Sequence, residues 1–328
     1  MTQITVIRPG ALGDMLLALP ALALLRARFP DAQLTFIARA DVLPLALASD
    51  LANTAWPWDL PDWAPLFAPA TTTADLTPRA RAALVNTDAV IAWAPDTDGA
   101  LATTLQRLGV RQVIIAPGKP DEAGRGPAEH VAVWLARALA PLGIVPPRDT
   151  ASAWRALSPL RWPDRAEREA QAAWDALNLP ARNVIAIHPG SSGAAKRWAP
   201  ASFAALAHLA RQVSYIPLLL AGEADAEVIA ATQVATPTPF PVARDLDVAA
   251  LAALLARCAS YVGNDSGVSH LAGMLGIPTV AIFGPSDPAR WSPLGSRVAT
   301  VRAPDGDLNR LAAEVVWQAL CEVMGSAM

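Results

Sequence analysis

The chain has 328 residues, 53% apolar and 17% charged, and Lys+Arg 26 against Asp+Glu 29 gives a formal net charge of -3. That balance describes a packed globular protein; it excludes a disordered chain, offers no electrostatic case for nucleic acid, and makes no strong one for a membrane surface. Two cysteines, Cys258 and Cys321, supply neither a disulfide framework nor a metal cluster, so a reducing cytoplasm is the default compartment.

The first element is a buried strand over Ile4–Arg8, followed by a glycine turn and a helix from about Asp14 to Phe29 with Leu16, Leu17, Leu24 and Leu25 at helical spacing. Within that helix "MLLALPALALL" is too short to span a bilayer and is interrupted by Pro20. It also follows a strand and a turn, which a signal peptide would not. Peripheral contact with the inner face of the cytoplasmic membrane needs no spanning segment and stays open. "AQLTFIAR" reads as a strand, "LATTLQRLGV" as a helix and "QVIIAPG" as a strand. After the proline-rich stretch around 146–163 the pattern restarts with a helix in "REAQAAWDALNL", a strand and glycine turn in "NVIAIHPGSSG", a helix in "ASFAALAHLARQV" and a strand in "YIPLLLAGE". "SYVGNDSG", "VSHLAGMLG" and "IPTVAIFGPSD" continue it. Short apolar strands alternating with helices predict two doubly wound α/β domains, 1–160 and 161–328, each with its ligand edge at the carboxyl ends of the strands. Facing each other, they would put the polar turns of both halves in one cleft. The last helix, about 308–324, is expected to pack back on the N-terminal domain.

Three turns carry the chemistry. In "IHPGSSGAAKRW" a strand runs into Gly190, Ser191, Ser192 and Gly193, with Lys196 and Arg197 just beyond. Backbone N–H groups turned toward one point, plus a lysine, suit a phosphate. In "GNDSGVSHL" the N–H groups of Ser266, Gly267 and Val268 lie at the positive end of a helix dipole, so a diphosphate fits between the two turns. Each turn alone also reads as an ordinary capped turn. In "RPGALGD", Gly10 and Gly13 shape a turn and Asp14 lies in the first turn of the helix, where the dipole stabilises any carboxylate and where a general base would equally sit. Neither a P-loop nor a G-x-G-x-x-G fingerprint is present, which disfavours a nucleotide triphosphatase or a nicotinamide dehydrogenase. The four histidines are too scattered for a metal site, and His270 on residue type alone reads as a packed histidine. Trp56, Trp58 and Trp63 crowd one loop; aromatic faces suit sugar rings or lipid, but anchoring the loop to a core is the plainer reading.

"IRPGALGDMLLALPAL", "HPGSSGAAKRWAPASFAAL" and "VGNDSGVSHLAGMLGIPTVAIFGPSDPARW" resemble, in order and separation, glycosyltransferase family 9, the heptosyltransferases of lipopolysaccharide core synthesis. The resemblance implies a GT-B fold of two Rossmann-like domains, with a nucleotide-sugar donor held by the C-terminal one. It implies inverting, metal-independent transfer of heptose from an ADP-activated donor, with no cofactor, to a glycan or glycolipid acceptor. Asp14 falls on the family's proposed base. Ser191, Ser192, Lys196, Asp265, Ser266, Gly267 and His270 fall on the donor diphosphate motifs, and Glu223, or second Asp225, on the ribose or base contact. Two stretches depart from a phosphorylated lipid acceptor. The segment 54–69 carries two aspartates and no basic residue, and 118–130 mixes Lys119 and Arg125 with Asp121, Glu122 and Glu129. A sugar-nucleotide epimerase on the same fold and a catalytically silent nucleotide-binding scaffold are the competing readings.

Overall fold

The computed structural model describes residues 1–68, 71–120, 129–157, 159–236 and 238–325. The chain divides into two compact units, Met1–Arg161 and Trp162–Met328. Among the described residues, no helix is long and apolar enough to cross a membrane.

The first unit is built on strands β1 (Gln3–Arg8), β2 (Gln33–Ala38), β3 (Thr54–Pro57), β4 (Ala89–Trp93) and β5 (Gln112–Ala116), in the order β3-β2-β1-β4-β5 and parallel throughout. Continuous rather than alternating apolar runs are what a sheet covered on both faces requires, and all five residues of β4 are buried. The chain winds outward from β1 to one edge and then from β4 to the other. The order therefore reverses between β1 and β4, and the ends of those two strands, Arg8 and Trp93, flank the crevice where such sheets hold ligands.

The single helix expected over 14–29 is two, Leu12–Leu16 and Leu19–Arg28. Pro20 has no N–H to give to the carbonyl one turn back and its ring crowds that carbonyl, so the chain restarts with the proline in the first turn. Gly13 consequently lies inside the first short helix, and Gly10 alone forms the turn, with φ +146. The tryptophan loop divides its labour. Trp63 is fully buried and donates from Nε1 to Pro57 O at 2.7 Å; Trp56 lies under the Arg79 guanidinium, 4.6 Å from its ring centre. Trp58 is only partly buried.

The second unit comprises β6 (Val184–His188), β7 (Ile216–Ala221), β8 (Val242–Arg244), β9 (Ser260–Asn264), β10 (Thr279–Phe283) and β11 (Val298–Arg302), all parallel in the order β11-β10-β9-β6-β7-β8. This is the six-stranded doubly wound arrangement, and its order reverses between β6 and β9. The two glycine turns singled out in the sequence leave those two strands. Trp198, fully buried, packs edge-on against Phe203 with centroids 5.0 Å apart and donates from Nε1 to Leu311 O at 3.1 Å. The closing helix, Ala313–Met324, packs on β10, β11 and the helix Pro200–Gln212 of its own unit, because Val316 and Leu320, fully buried, put its apolar stripe there. Each such side chain contributes about 1.5–3 kcal/mol when removed from water.

Candidate functional site

The carboxyl ends of β6 and β9 are tied together by Asn264, the last residue of β9, which is fully buried. Its Nδ2 donates to Pro189 O at 2.8 Å, and its Oδ1 accepts from Trp198 N at 3.0 Å. One side chain thus joins the turn after β6 to the strand β9. Ser191 adds a second tie, donating from Oγ to the carbonyl of Asp265 at 3.0 Å. Below them Ser269 donates to Asn264 O and lies 3.0 Å from the Tyr261 hydroxyl, whose pKa burial pushes well above its ordinary value.

The helix after β9, Gly267–Met274, has Ser266 as its N-cap in extended backbone, yet the Ser266 side chain makes no capping bond. Its hydroxyl lies 3.4 Å from His188 Nδ1 instead. The first-turn N–H groups of this helix are therefore left to an outside acceptor, at the positive end of the dipole. His188 is fixed from its other side, where Nε2 donates to Asp225 Oδ2 at 3.0 Å. Asp225 also accepts from Gly222 N at 2.9 Å. Burial works against the Asp225 carboxylate, but the hydrogen bond and charge of His188, with Gly222 N–H and Arg197, outweigh it and hold the group below the usual range. Gly190 is obligatory here for a reason of space: a Cβ on it would fall 2.1 Å from Asp225 Oδ1.

Lys196, a third exposed, donates from Nζ to Asp265 Oδ2 at 2.6 Å, and the same oxygen accepts from Ser286 Oγ at 2.6 Å. Arg197 donates from Nε to Ser191 O at 2.8 Å. The ion pair neutralises a carboxylate that would otherwise repel an anion, and it parks the ammonium at the rim of the cradle.

The structure thus brings Ser191, Lys196, Asp265, Ser266 and Gly267 together. Ser192 is exposed beside them, and His270 is buried, one turn into the helix. Glu223 is exposed on the turn after β7, while Asp225, two residues on, is the carboxylate that reaches the cradle. Sequence reading missed the joining role of Asn264, the His188–Asp225 link and Ser286. The last was signalled by its place after β10, in "GPSD", on the same carboxyl edge.

In the first unit, Arg8 at the end of β1 is buried and donates to Trp93 O at 3.3 Å and Gly118 O at 2.8 Å. Burial lowers its pKa, and Asp14, 3.4 Å away, partly offsets that. Asp14 accepts from Ala11 N at 2.9 Å and keeps 27% of its side chain in solvent. It is therefore oriented by the turn and still reachable. Of the acidic and basic residues expected on the following loop, Asp121, Glu122 and Arg125 lie outside the described residues. Among the described residues no group of three or more His, Cys, Asp or Glu side chains could hold a metal ion.

The lipopolysaccharide heptosyltransferase 2 of Escherichia coli (strain K12) is 33% identical over 159 residues, 45% of this chain and 45% of that protein. The match spans less than half the length of such curated relatives. Two solved structures align along nearly the whole chain. The glycosyl transferase family 9 protein from Veillonella parvula has a TM-score of 0.81 at 20% identity, covering 98% of this chain and 97% of that one. The E. coli ADP-heptose lps heptosyltransferase II has 0.73 at 22%, covering 99% and 98%. They show the fold: two Rossmann-like domains of the GT-B class. The family model for glycosyltransferase family 9 (heptosyltransferase) matches residues 151–316. That span, just over half of the 328 residues, contains both turns of the cradle, and the chain belongs to this family.

Proposed function

We propose that the protein is an inverting, metal-independent glycosyltransferase that moves a sugar, heptose from ADP-heptose, to a glycan or lipopolysaccharide-core-type acceptor hydroxyl. The observation that carries this reading is the cradle between β6 and β9. There an uncapped helix start, a lysine and two turns locked by Asn264 converge at the switch point of a six-stranded doubly wound sheet. The family's name supplies the sugar class, and the name of the E. coli structural relative supplies the nucleotide.

In the proposed reaction the acceptor oxygen attacks the anomeric carbon as Asp14 takes its proton. The bond from that carbon to the diphosphate oxygen breaks, and the nucleoside diphosphate leaves with the electron pair. Lys196, Ser266 and the helix dipole stabilise the charge that develops on the leaving group. Electrostatic terms of this kind contribute several kcal/mol where the donors are already oriented. Asp14 suits the task because its partner Arg8 and the Ala11 N–H fix its direction without burying it.

The test is a thermal-stability titration with ADP, UDP, GDP and NAD⁺, with and without EDTA. A ligand at about a hundred times its Kd stabilises the native state by roughly 2.7 kcal/mol. ADP alone is expected to raise the Tm, equally in EDTA. A rise with UDP or GDP instead would retain glycosyl transfer and discard ADP-heptose. No rise with any nucleotide would sink the cradle.

A further inference from the structure

At the carboxyl edge of the first sheet lies a cavity of about 360 Å³, lined by Gly10, Arg39, Ala40, Asp41, Trp58 and Asp59. It is near the lower end of ligand pockets, roughly 300–1,000 Å³, and so fits one sugar ring better than a chain or an acyl tail. It borders the turn that carries Asp14, since a Cβ on Gly10 would fall 2.9 Å from Asp14 Oδ2.

Trp58 packs against the core of this unit without being buried by it. Its backbone N–H donates to Ala38 O at 2.7 Å, at the end of β2, and its ring meets Phe67 edge-on with centroids 6.0 Å apart. The ring is left partly open on the cavity. An aromatic face takes the C–H side of a sugar ring, and carboxylates beside it accept hydrogen bonds from the hydroxyls. Asp41 and Asp59 are those carboxylates. The cation of the lining, Arg39, is already committed, donating from Nε to Asp41 at 3.0 Å and from Nη2 at 2.7 Å. With one guanidinium against two carboxylates, the lining is net negative.

We propose that this cavity seats an uncharged sugar ring of the acceptor and selects against an acceptor phosphorylated on that ring. The proposal rests on the glycosyl-transfer reading above and gives its substrate class. A phosphate ester would meet a lining whose one guanidinium is already neutralised by Asp41 and faces Asp59 as a second carboxylate, and the repulsion is strongest at low ionic strength.

The experiment is saturation-transfer NMR on the full-length protein with neutral methyl glycosides of several configurations and the 6-phosphates of the same sugars. At low salt at least one neutral glycoside is expected to bind, with its phosphate ester weaker by roughly tenfold. Trp58→Ala should abolish the signal. Asp59→Asn, at an exposed position that spares the fold, should narrow the gap between the neutral and phosphorylated ligands. Equal or tighter binding of the esters, an unchanged gap in Asp59→Asn, or no binding by any glycoside would overturn the proposal. The ADP titration reads the other unit, so loss of the ADP response with glycoside binding intact would count against the donor site and leave this cavity standing.

Discussion

The carboxyl edges of the two sheets occupy the same place in the same kind of fold, yet they are finished differently. Between β6 and β9 the edge is cross-linked from within: Asn264, Ser191, the His188–Asp225 pair and the Lys196–Asp265–Ser286 cluster join turns that are far apart in sequence. Between β1 and β4 the work falls on one buried side chain, Arg8, whose contacts are two carbonyls and the half-open Asp14. On the proposed function, the second surface holds a diphosphate and benefits from orientation fixed in advance. A surface that presents a base to an acceptor needs one well-directed carboxylate and access to it. The comparison predicts that changes in the second unit register in stability and nucleotide binding, and changes at Asp14 chiefly in rate and not in nucleotide binding.

The largest effect is expected at Asp14. Asp14→Asn keeps an acceptor for the Ala11 N–H but cannot take a proton, and kcat should fall by about 10²–10⁴-fold. The ADP-induced shift should stay as it is, while the Tm falls modestly because the buried Arg8 loses its counter-charge. A variant that kept full turnover would return the silent-scaffold reading to favour, and one that lost the ADP shift would break the division of labour.

Asn264→Ala should behave in the opposite way. It leaves the Pro189 carbonyl and the Trp198 N–H buried without their partner, at a cost of about 2–4 kcal/mol. Thermal denaturation should show that loss, and the ADP response should weaken because the two turns are no longer held in register. Next in size is Lys196→Met, which removes the ammonium and leaves Asp265 with Ser286 as its remaining side-chain donor. ADP affinity should drop by roughly ten- to a hundredfold, the range of a charge-assisted hydrogen bond of about 1.5–3 kcal/mol. Unchanged affinity would mean that neither the ammonium nor its neutralisation of Asp265 bears on the nucleotide.

Much of this was legible in the sequence, and the misses have physical causes. The doubly wound pattern follows from apolar strands and glycine turns, and the residues at strand ends could be named because ligands bind at that edge. Pairings between strand ends could not. His188 and Asp225 are 37 residues apart and meet because β6 and β7 are neighbours in the sheet. Gly190 reads in the sequence as backbone freedom for a phosphate, whereas what it supplies is room for Asp225. Glu223 and Asp225 share one turn, and only the path of the chain after β7 decides which carboxylate turns inward. Lys196 has the look of a free counter-charge until its partner Asp265, 69 residues away, is placed beside it.

The smallest predicted effect lies at the opposite, amino edge of the first sheet, and it tests whether that unit is rigid anywhere outside Arg8. Asp88, just before β4, accepts at Oδ2 from the backbone of Thr2 and Gln3 and at Oδ1 from Arg111. The two backbone bonds pull its pKa from 3.8 down to about 2, against burial and with a lesser contribution from Arg111. A carboxylate depressed by folding stabilises the native state above its unfolded pKa, and that contribution is lost as pH falls through the folded value. Asp88→Asn should therefore cost about 1–2 kcal/mol near neutrality, and the gap from the parent should close between about pH 4 and pH 2. Arg111→Ala, whose side chain is 76% exposed, should cost less than about 0.5 kcal/mol and remain salt-sensitive. If Arg111 proved the larger of the two, the start of β1 would be held by surface charge rather than by backbone hydrogen bonds.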